Sequence, residues 1–195
     1  TFFGATGWAA GIGDALFSIR KTPDAPVSNS YDIDFSAQEL RLPDSWIVGI
    51  DRAGVLPPAI ETTHLAATAT FDRPWDRASI EGDNPALRTV EVSDARFAWG
   101  KLDLRAAGTL RPDARGFAEG KLDLTARNWR GMLEAAEQSG ALNPTLAGTL
   151  RGALGLFARL AGDGDTLRLP LEFRDGETRL GPVTIGAAPL LTRRP

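Results

Sequence analysis

Along Tyr31–Ala37, Tyr31, Ile33, Phe35 and Ala37 fall on one side of an extended chain, and Asp32, Asp34 and Ser36 on the other. A period of two marks a strand half-buried in a sheet. The apolar phase then moves to Leu40 and Leu42, which predicts a β-bulge near Glu39, and Pro43 ends the run. Residues 44–60 read as irregular, with Pro57–Pro58 enforcing extended backbone before the next strand. Alternation resumes over His64–Phe71, with Leu65, Ala67, Ala69 and Phe71 on one face. Asp72–Ala86, rich in Pro, Asp and Arg, predicts a long connection. Three closely spaced strands follow. Their inward positions are Val90, Val92, Phe97 and Trp99, then Leu102, Leu104 and Ala106, then Leu122, Leu124 and Ala126. Short amphipathic strands joined by short turns are the pattern of a meander. The echo of Lys-Leu-Asp-Leu at 101–104 and 121–124 follows from that pattern.

The period changes after Ala126. Asn128 is placed to cap a helix whose apolar face carries Trp129, Met132, Leu133 and Ala136, and Gly140 is a natural stop. Asn143–Pro144 starts a second helix lined by Leu146, Leu150, Leu154 and Phe157. Gly148, Gly152 and Gly155 lie within it, and their spacing predicts close packing against another surface. The Ala-Gly-Thr-Leu-Arg of 107–111 recurs at 147–151, inside this helix, so the shared letters should carry no shared structure. Strand alternation returns at Leu167, Leu169, Leu171 and Phe173; Asp175–Gly176 is a two-residue hairpin signal, followed by Leu180, Val183 and Ile185. Pro170 points to an edge strand.

The expected fold is therefore mainly β (α+β). It is a long curved antiparallel meander sheet with two adjacent helices near 128–162, in a single domain spanning 1–195. Nearly every strand has one apolar and one charged face, as in an antiparallel sheet solvated on one side. Two helices can cover only part of the apolar face. Sheet curvature, a preceding portion of chain, a partner or lipid must cover the rest.

Composition refines this picture without redirecting it. Hydrophobic residues make up 43% and charged residues 24% of the 195, a globular balance that argues against wholesale disorder. The net charge of −3 leaves no electrostatic footprint for nucleic acid. The chain has no Cys, so disulfides, Cys zinc sites and thiol nucleophiles are excluded. Phe2–Ile19 is apolar enough to raise a membrane span, but Asp14 and Gly4, Gly7, Gly11 and Gly13 favour glycine-bearing strands. The abrupt start, with no signal-peptide pattern, leads us to expect the C-terminal portion of a longer protein.

Candidate chemistry is sparse. His64 is the only histidine, has no evident acid partner, and is expected on the polar side of its strand. Asp163 and Asp165 in Gly162–Thr166 lack the spacing of a calcium loop, and Gly11–Leu16 lacks the third glycine of a dinucleotide fingerprint. No nucleophile-elbow pattern occurs. No catalytic, cofactor or metal residue is assigned, and no cofactor is expected. Arg73, Trp75 and Arg77 are the one candidate contact for a partner or an anion, weighed against a loop of exposed ion pairs around Asp72 and Asp76.

Several longer stretches carry a resemblance: Phe71-Asp-Arg-Pro-Trp75, Trp99-Gly100, Asn128-Trp129-Arg130, Ser139-Gly140, and Leu180-Gly181-Pro182 with Ile185-Gly186 and Pro189. With these marks, residues 45–191 resemble the domain of unknown function 2125, a bacterial family common in alphaproteobacteria. Ala188 departs from the more basic ending usual in the family. The resemblance implies a periplasmic, envelope location, with an N-terminal export or anchor segment that could hold the protein at the inner membrane. It implies no reaction. A weaker likeness is to AsmA-type envelope proteins, whose apolar sheet troughs are thought to carry lipid. The resulting expectation is a non-enzymatic envelope protein whose apolar sheet face binds lipid or supports envelope assembly. The alternative is an accessory or scaffolding subunit of a membrane protein complex, and a hydrolase is the least favoured reading.

Overall fold

The computed structural model describes residues 2–3, 9–25, 27, 29–43, 56–77, 79, 84–161, 164–181 and 183–192. The readings made for Gly4, Gly7, residues 44–55 and Asp163 lie outside these residues.

Two short strands, β1 (Phe2–Phe3) and β2 (Ala9–Ala10), pair with each other. Nine more form one sheet: β3 (Asp14–Lys21), β4 (Ser30–Leu40), β5 (Ile60–Phe71), β6 (Leu87–Trp99), β7 (Leu102–Pro112), β8 (Ala118–Arg127), β9 (Thr166–Arg174), β10 (Glu177–Leu180) and β11 (Val183–Ala187). Each pairs antiparallel with its neighbour in sequence, and β3 and β11 are the outer strands, so the sheet is an open meander.

Residues directly opposed across an antiparallel ladder share a face. One row therefore runs Phe17, Phe35, Leu65, Ala95, Ala106, Leu124, Leu169 across β3 to β9. The opposite face carries Arg20, Asp32, Thr68, Glu91, Thr109, Lys121, Glu172, Arg179 and Thr184, one residue from each strand. The alternation visible along single strands thus holds across the whole sheet.

Glu39 does not form the predicted bulge. It adopts left-handed backbone (φ 51°), yet Gln38↔Thr62 and Leu40↔Ile60 keep one register, so the strand turns locally without gaining a residue. Register slips fall instead on β6, between Ala66 and Ala67 and between Thr70 and Phe71 of β5, and between Val92 and Ala95 toward β7, with one more between Thr178 and Arg179 of β10 toward β11. The slip at Ser93–Asp94 moves the inward positions from Val90 and Val92 to Ala95, Phe97 and Trp99, keeping both runs on the apolar face. Pro170 does not sit in an edge strand, because β9 pairs with both β8 and β10. The β10 pairing stops at Leu171, so no second neighbour needs the N–H that Pro170 lacks. The Asp175–Gly176 hairpin forms as expected, both residues having positive φ (57° and 80°).

The helices α1 (Trp129–Gln138) and α2 (Pro144–Ala161) are inserted between the adjacent strands β8 and β9. Ala147–Arg151 is helical, so its likeness to Ala107–Arg111 in β7 is one of letters only. Asn143 caps α2, its Oδ1 accepting the Leu146 N–H at 2.8 Å. Asn128 occupies the N-cap position of α1 but makes no side-chain cap bond. It takes left-handed backbone (φ 52°), which Asn tolerates, and its amide lies where a Cβ on Gly131 would stand.

Trp129, Leu133, Leu150, Leu154 and Ala158 pack on Ala126, Leu167 and Leu169 to form the main core over the β8–β9 region of the apolar face. The buried stripe of α2 is Ala147, Leu150, Leu154 and Ala158, rotated from the expected Leu146–Phe157 stripe and leaving Phe157 exposed. Alanines at both ends let the helix approach the sheet closely. A second cluster of Leu110, Ala118, Phe173 and Ala188 is closed by the C-terminal segment, where Ala118 N–H donates to the Pro189 carbonyl at 2.8 Å.

The glycines of α2 do not mediate close packing. A Cβ on Gly148 or Gly152 would meet nothing within 4 Å, and one on Gly155 would only touch Trp129 at 3.9 Å. The close approach is in the sheet: a Cβ on Gly108 (φ 148°) would stand 2.3 Å from the Lys121 carbonyl oxygen of β8. Gly108→Ala is therefore expected to destabilise the fold by about 1–3 kcal/mol, whereas Gly152→Ala should stabilise it by about 0.5–1 kcal/mol. Urea unfolding monitored by circular dichroism measures both. Equal effects of the two substitutions would contradict this assignment.

Candidate binding surface on the sheet

Helices and C-terminal segment cover the apolar face from β7 to β11. Over β3 to β5 that face presents Phe17 and Ile19, 64% and 57% exposed, beside half-buried Ile33, Phe35 and Leu65. Leu16, on the opposite face of the same outer strand, is 65% exposed. Exposed apolar residues clustered in this way mark a contact surface more often than scattered ones do.

An aromatic cluster borders one end of this face. Tyr31 meets Phe71 edge-on at 5.9 Å, and Phe71 meets Trp75 edge-on at 5.6 Å. The Trp75 backbone N–H donates to the Tyr31 hydroxyl at 2.8 Å, which fixes the loop after β5 against β4. Trp75 is 43% exposed, and Arg73 and Arg77 flank it, both exposed. Arg73 Nη2 donates to the Asn84 carbonyl at 3.2 Å. The loop carries local order beyond an irregular connection: Asp76 Oδ1 accepts the Ser79 N–H at 2.9 Å, and Ser79 Oγ donates to the Pro74 carbonyl at 2.8 Å. The structure thus joins Trp75 to Tyr31 and Phe71, a partnership with no sequence signal because Tyr31 lies 44 positions away.

The polar face holds a second arrangement. His64 projects to that side, as expected, but it is not alone there. Its Nδ1 lies 2.9 Å from Ser36 Oγ, and its Nε2 lies 3.7 Å from Asp94 Oδ2. Three neighbouring strands supply these groups, and only the register brings them together. Asp94 is held more closely by Arg96, at 2.8 Å. Ser36 is embedded in a continuous ladder, so the backbone N–H groups around it are engaged in strand pairing and not gathered to hold an oxyanion. Ser36 and His64 are thus joined across β4 and β5, with the Asp94–Arg96 ion pair of β6 beside them.

Beside it, a shallow groove of about 300 Å³ is lined by Ser18, Arg20, Asp32, Asp34, Thr68 and Ser93, among others. Asp32 accepts hydrogen bonds from Thr22 (2.8 Å), Thr68 (3.1 Å) and Arg20 Nε (3.2 Å). The Thr22 bond is the chief cause holding its carboxyl below the ordinary Asp value, and it outweighs the opposing desolvation. A carboxyl whose folded pKa is depressed adds stability that is fully present above its unfolded pKa of about 4 and is lost as pH falls through the lower folded value. Asp32→Asn should therefore flatten the acid limb of the stability curve below about pH 4. Urea midpoints compared from pH 7 down to pH 3 test this, and an unchanged acid limb would refute it.

Among the described residues, no helix is long and apolar enough to cross a membrane, and no cluster of three or more His, Cys, Asp or Glu residues could hold a metal ion. No curated protein and no solved structure matches the chain. The likeness to AsmA-type proteins therefore rests on strand patterning alone. The family described as "Uncharacterized protein conserved in bacteria (DUF2125)" matches residues 3–189, almost the entire chain, and covers the open meander, both helices and the Trp75 loop. The chain belongs to this bacterial family.

Proposed function

We propose that the protein is a non-enzymatic component of the bacterial cell envelope whose apolar sheet face over β3–β5 binds lipid. The observation that carries this reading is the unequal cover of one continuous apolar face: helices lie over one end, while Phe17 and Ile19 are exposed at the other. Acyl chains lie against Ile33, Phe35 and Leu65, and the Trp75 loop forms the rim. Trp and Tyr suit a boundary between apolar and wet surroundings, and Arg73 and Arg77 suit an anionic headgroup. The periplasmic location and anchoring at the inner membrane rest on the family resemblance.

A second reading, an accessory subunit of a membrane protein complex, is favoured by the exposure of Trp75 between two arginines, since Trp and Arg commonly anchor protein interfaces.

Native mass spectrometry of the protein extracted from its own host tests both. A phospholipid should remain bound to the wild-type protein. Phe35→Ser and Trp75→Ser should each reduce its occupancy several-fold in a chain that retains its β circular dichroism. Lipid-free protein, or equal lipid in all three chains, would remove the basis for lipid binding. A stoichiometric protein partner lost on Trp75→Ser would favour the second reading.

A further inference from the structure

The outer edge of β3 has a structure of its own. Thr22 N–H donates to the Ser30 carbonyl at 2.9 Å, and Phe71 N–H donates to the Asn29 carbonyl at 3.0 Å. In an antiparallel ladder the bonded pairs alternate. Even-numbered residues of β4 therefore bond to β3, and odd-numbered ones to β5. On β3 itself, Arg20, Ser18, Leu16 and Asp14 are tied to β4, while Ala15, Phe17, Ile19 and Lys21 direct their N–H and C=O groups outward. No described strand pairs with that side, and every residue from Asp14 to Lys21 is exposed. Proteins commonly blunt such an edge with Pro, a bulge, an inward-pointing charge or charged edge residues, Lys above all; on β3 the charges Asp14, Arg20 and Lys21 stand only at the ends. β3 has no Pro and no register slip against β4, and its outward-bonding centre is Phe17 and Ile19.

We infer that β3 pairs with β3 of a second copy of this chain, antiparallel, about a twofold axis at Phe17. The occupant follows from the order of charges along the strand. In this register Phe17 opposes Phe17 and Ala15 opposes Ile19 on the apolar face. On the polar face Asp14 opposes Arg20 twice, and Leu16 opposes Ser18. Shifting the axis by one residue, to the next register that keeps the faces in phase, removes both charge pairs. An axis midway between Phe17 and Ile19 sets Leu16 against Arg20, and one midway between Ala15 and Phe17 sets Asp14 against Ser18. Arg20 is available for the contact: its bond to Asp32 uses Nε, and its side chain is 70% exposed. The other outer strand, β11, has no charged residue to offer β3. The pairing is isologous, so it closes as a dimer and does not propagate. It makes one sheet of two copies, and the two apolar faces become continuous at the strand where each is most exposed.

The charge reversals lie on the polar face, so their result does not depend on lipid. Sedimentation equilibrium of the full chain should show a dimer. Asp14→Arg and Arg20→Asp should each weaken dimerisation by about tenfold, since each sets like charges opposite each other. Mixing the two variants should restore the dimer, because both opposed pairs then become Arg–Asp. In this chain, which has no Cys, Phe17→Cys should form a disulfide-linked dimer under mild oxidation, because the bonded Cα pair lies about 5.5 Å apart, within disulfide reach. Leu156→Cys, equally exposed on α2, should not. A monomer at all concentrations, a dimer indifferent to both charge reversals, a mixture that stays monomeric, or equal cross-linking through position 156 would each overturn the inference.

Discussion

The register of the β ladder is the constraint on which the rest of the structure depends. Opposed residues share a face, so nine strands must keep their apolar positions in phase for one face to bury and the other to stay wet. The row from Phe17 to Leu169 and the polar row from Arg20 to Thr184 are two readings of this one rule. A one-residue slip in β8 or β9 would place Asp123, Arg127 or Arg168 beneath the helices. β6 is where the phase would have failed, since its inward residues change parity between Val92 and Ala95; the slip at Ser93–Asp94 restores it. That irregularity also places Asp94 beside His64, so the same local device serves packing on one face and a polar contact on the other.

The apolar face is covered asymmetrically because of where the helices enter the chain. Inserted between β8 and β9, they fold back over the strands flanking that connection and reach no further than the strands nearest to it. Trp129 anchors this arrangement, being buried against Leu133 and Leu154 while its Nε1–H donates to the Gly164 carbonyl at 3.2 Å, with Arg130 stacked on its ring at 4.4 Å. Among the described residues, the helix packing stays on the strands around that connection and does not extend over β3–β5. The exposed face and the open edge there have the same topological cause.

Much of the architecture was legible from periodicity. Strand alternation at Tyr31–Ala37, Leu65–Phe71 and Leu167–Phe173, the turn at Asp175–Gly176 and the Asn143–Pro144 helix start are encoded within a few residues, where local geometry decides the outcome. Errors arose where two surfaces meet. Phe157 has the spacing of a core residue, yet Ala158 is buried in its place because the sheet lies on that side of α2. Gly148 and Gly152 have the spacing of a packing stripe and face open space. Pro170 suits an edge strand, and only the length of β10 explains its place inside the sheet.

The sequence by itself determined the alternation of faces, the order of strands and helices, and the absence of any thiol or multi-histidine chemistry, because these depend on residue type and on spacings of a few positions. The family membership was readable from the same local marks, above all Phe71–Trp75 and Asn128–Arg130. The tertiary structure alone decided which part of the apolar face the helices cover, that Trp75 stacks with Phe71 beside Tyr31, that Ser36, His64 and Asp94 meet, and that β3 is left as an outer edge. Each of these is a contact between segments tens of residues apart, set by ladder register and strand order, for which a linear pattern carries no term.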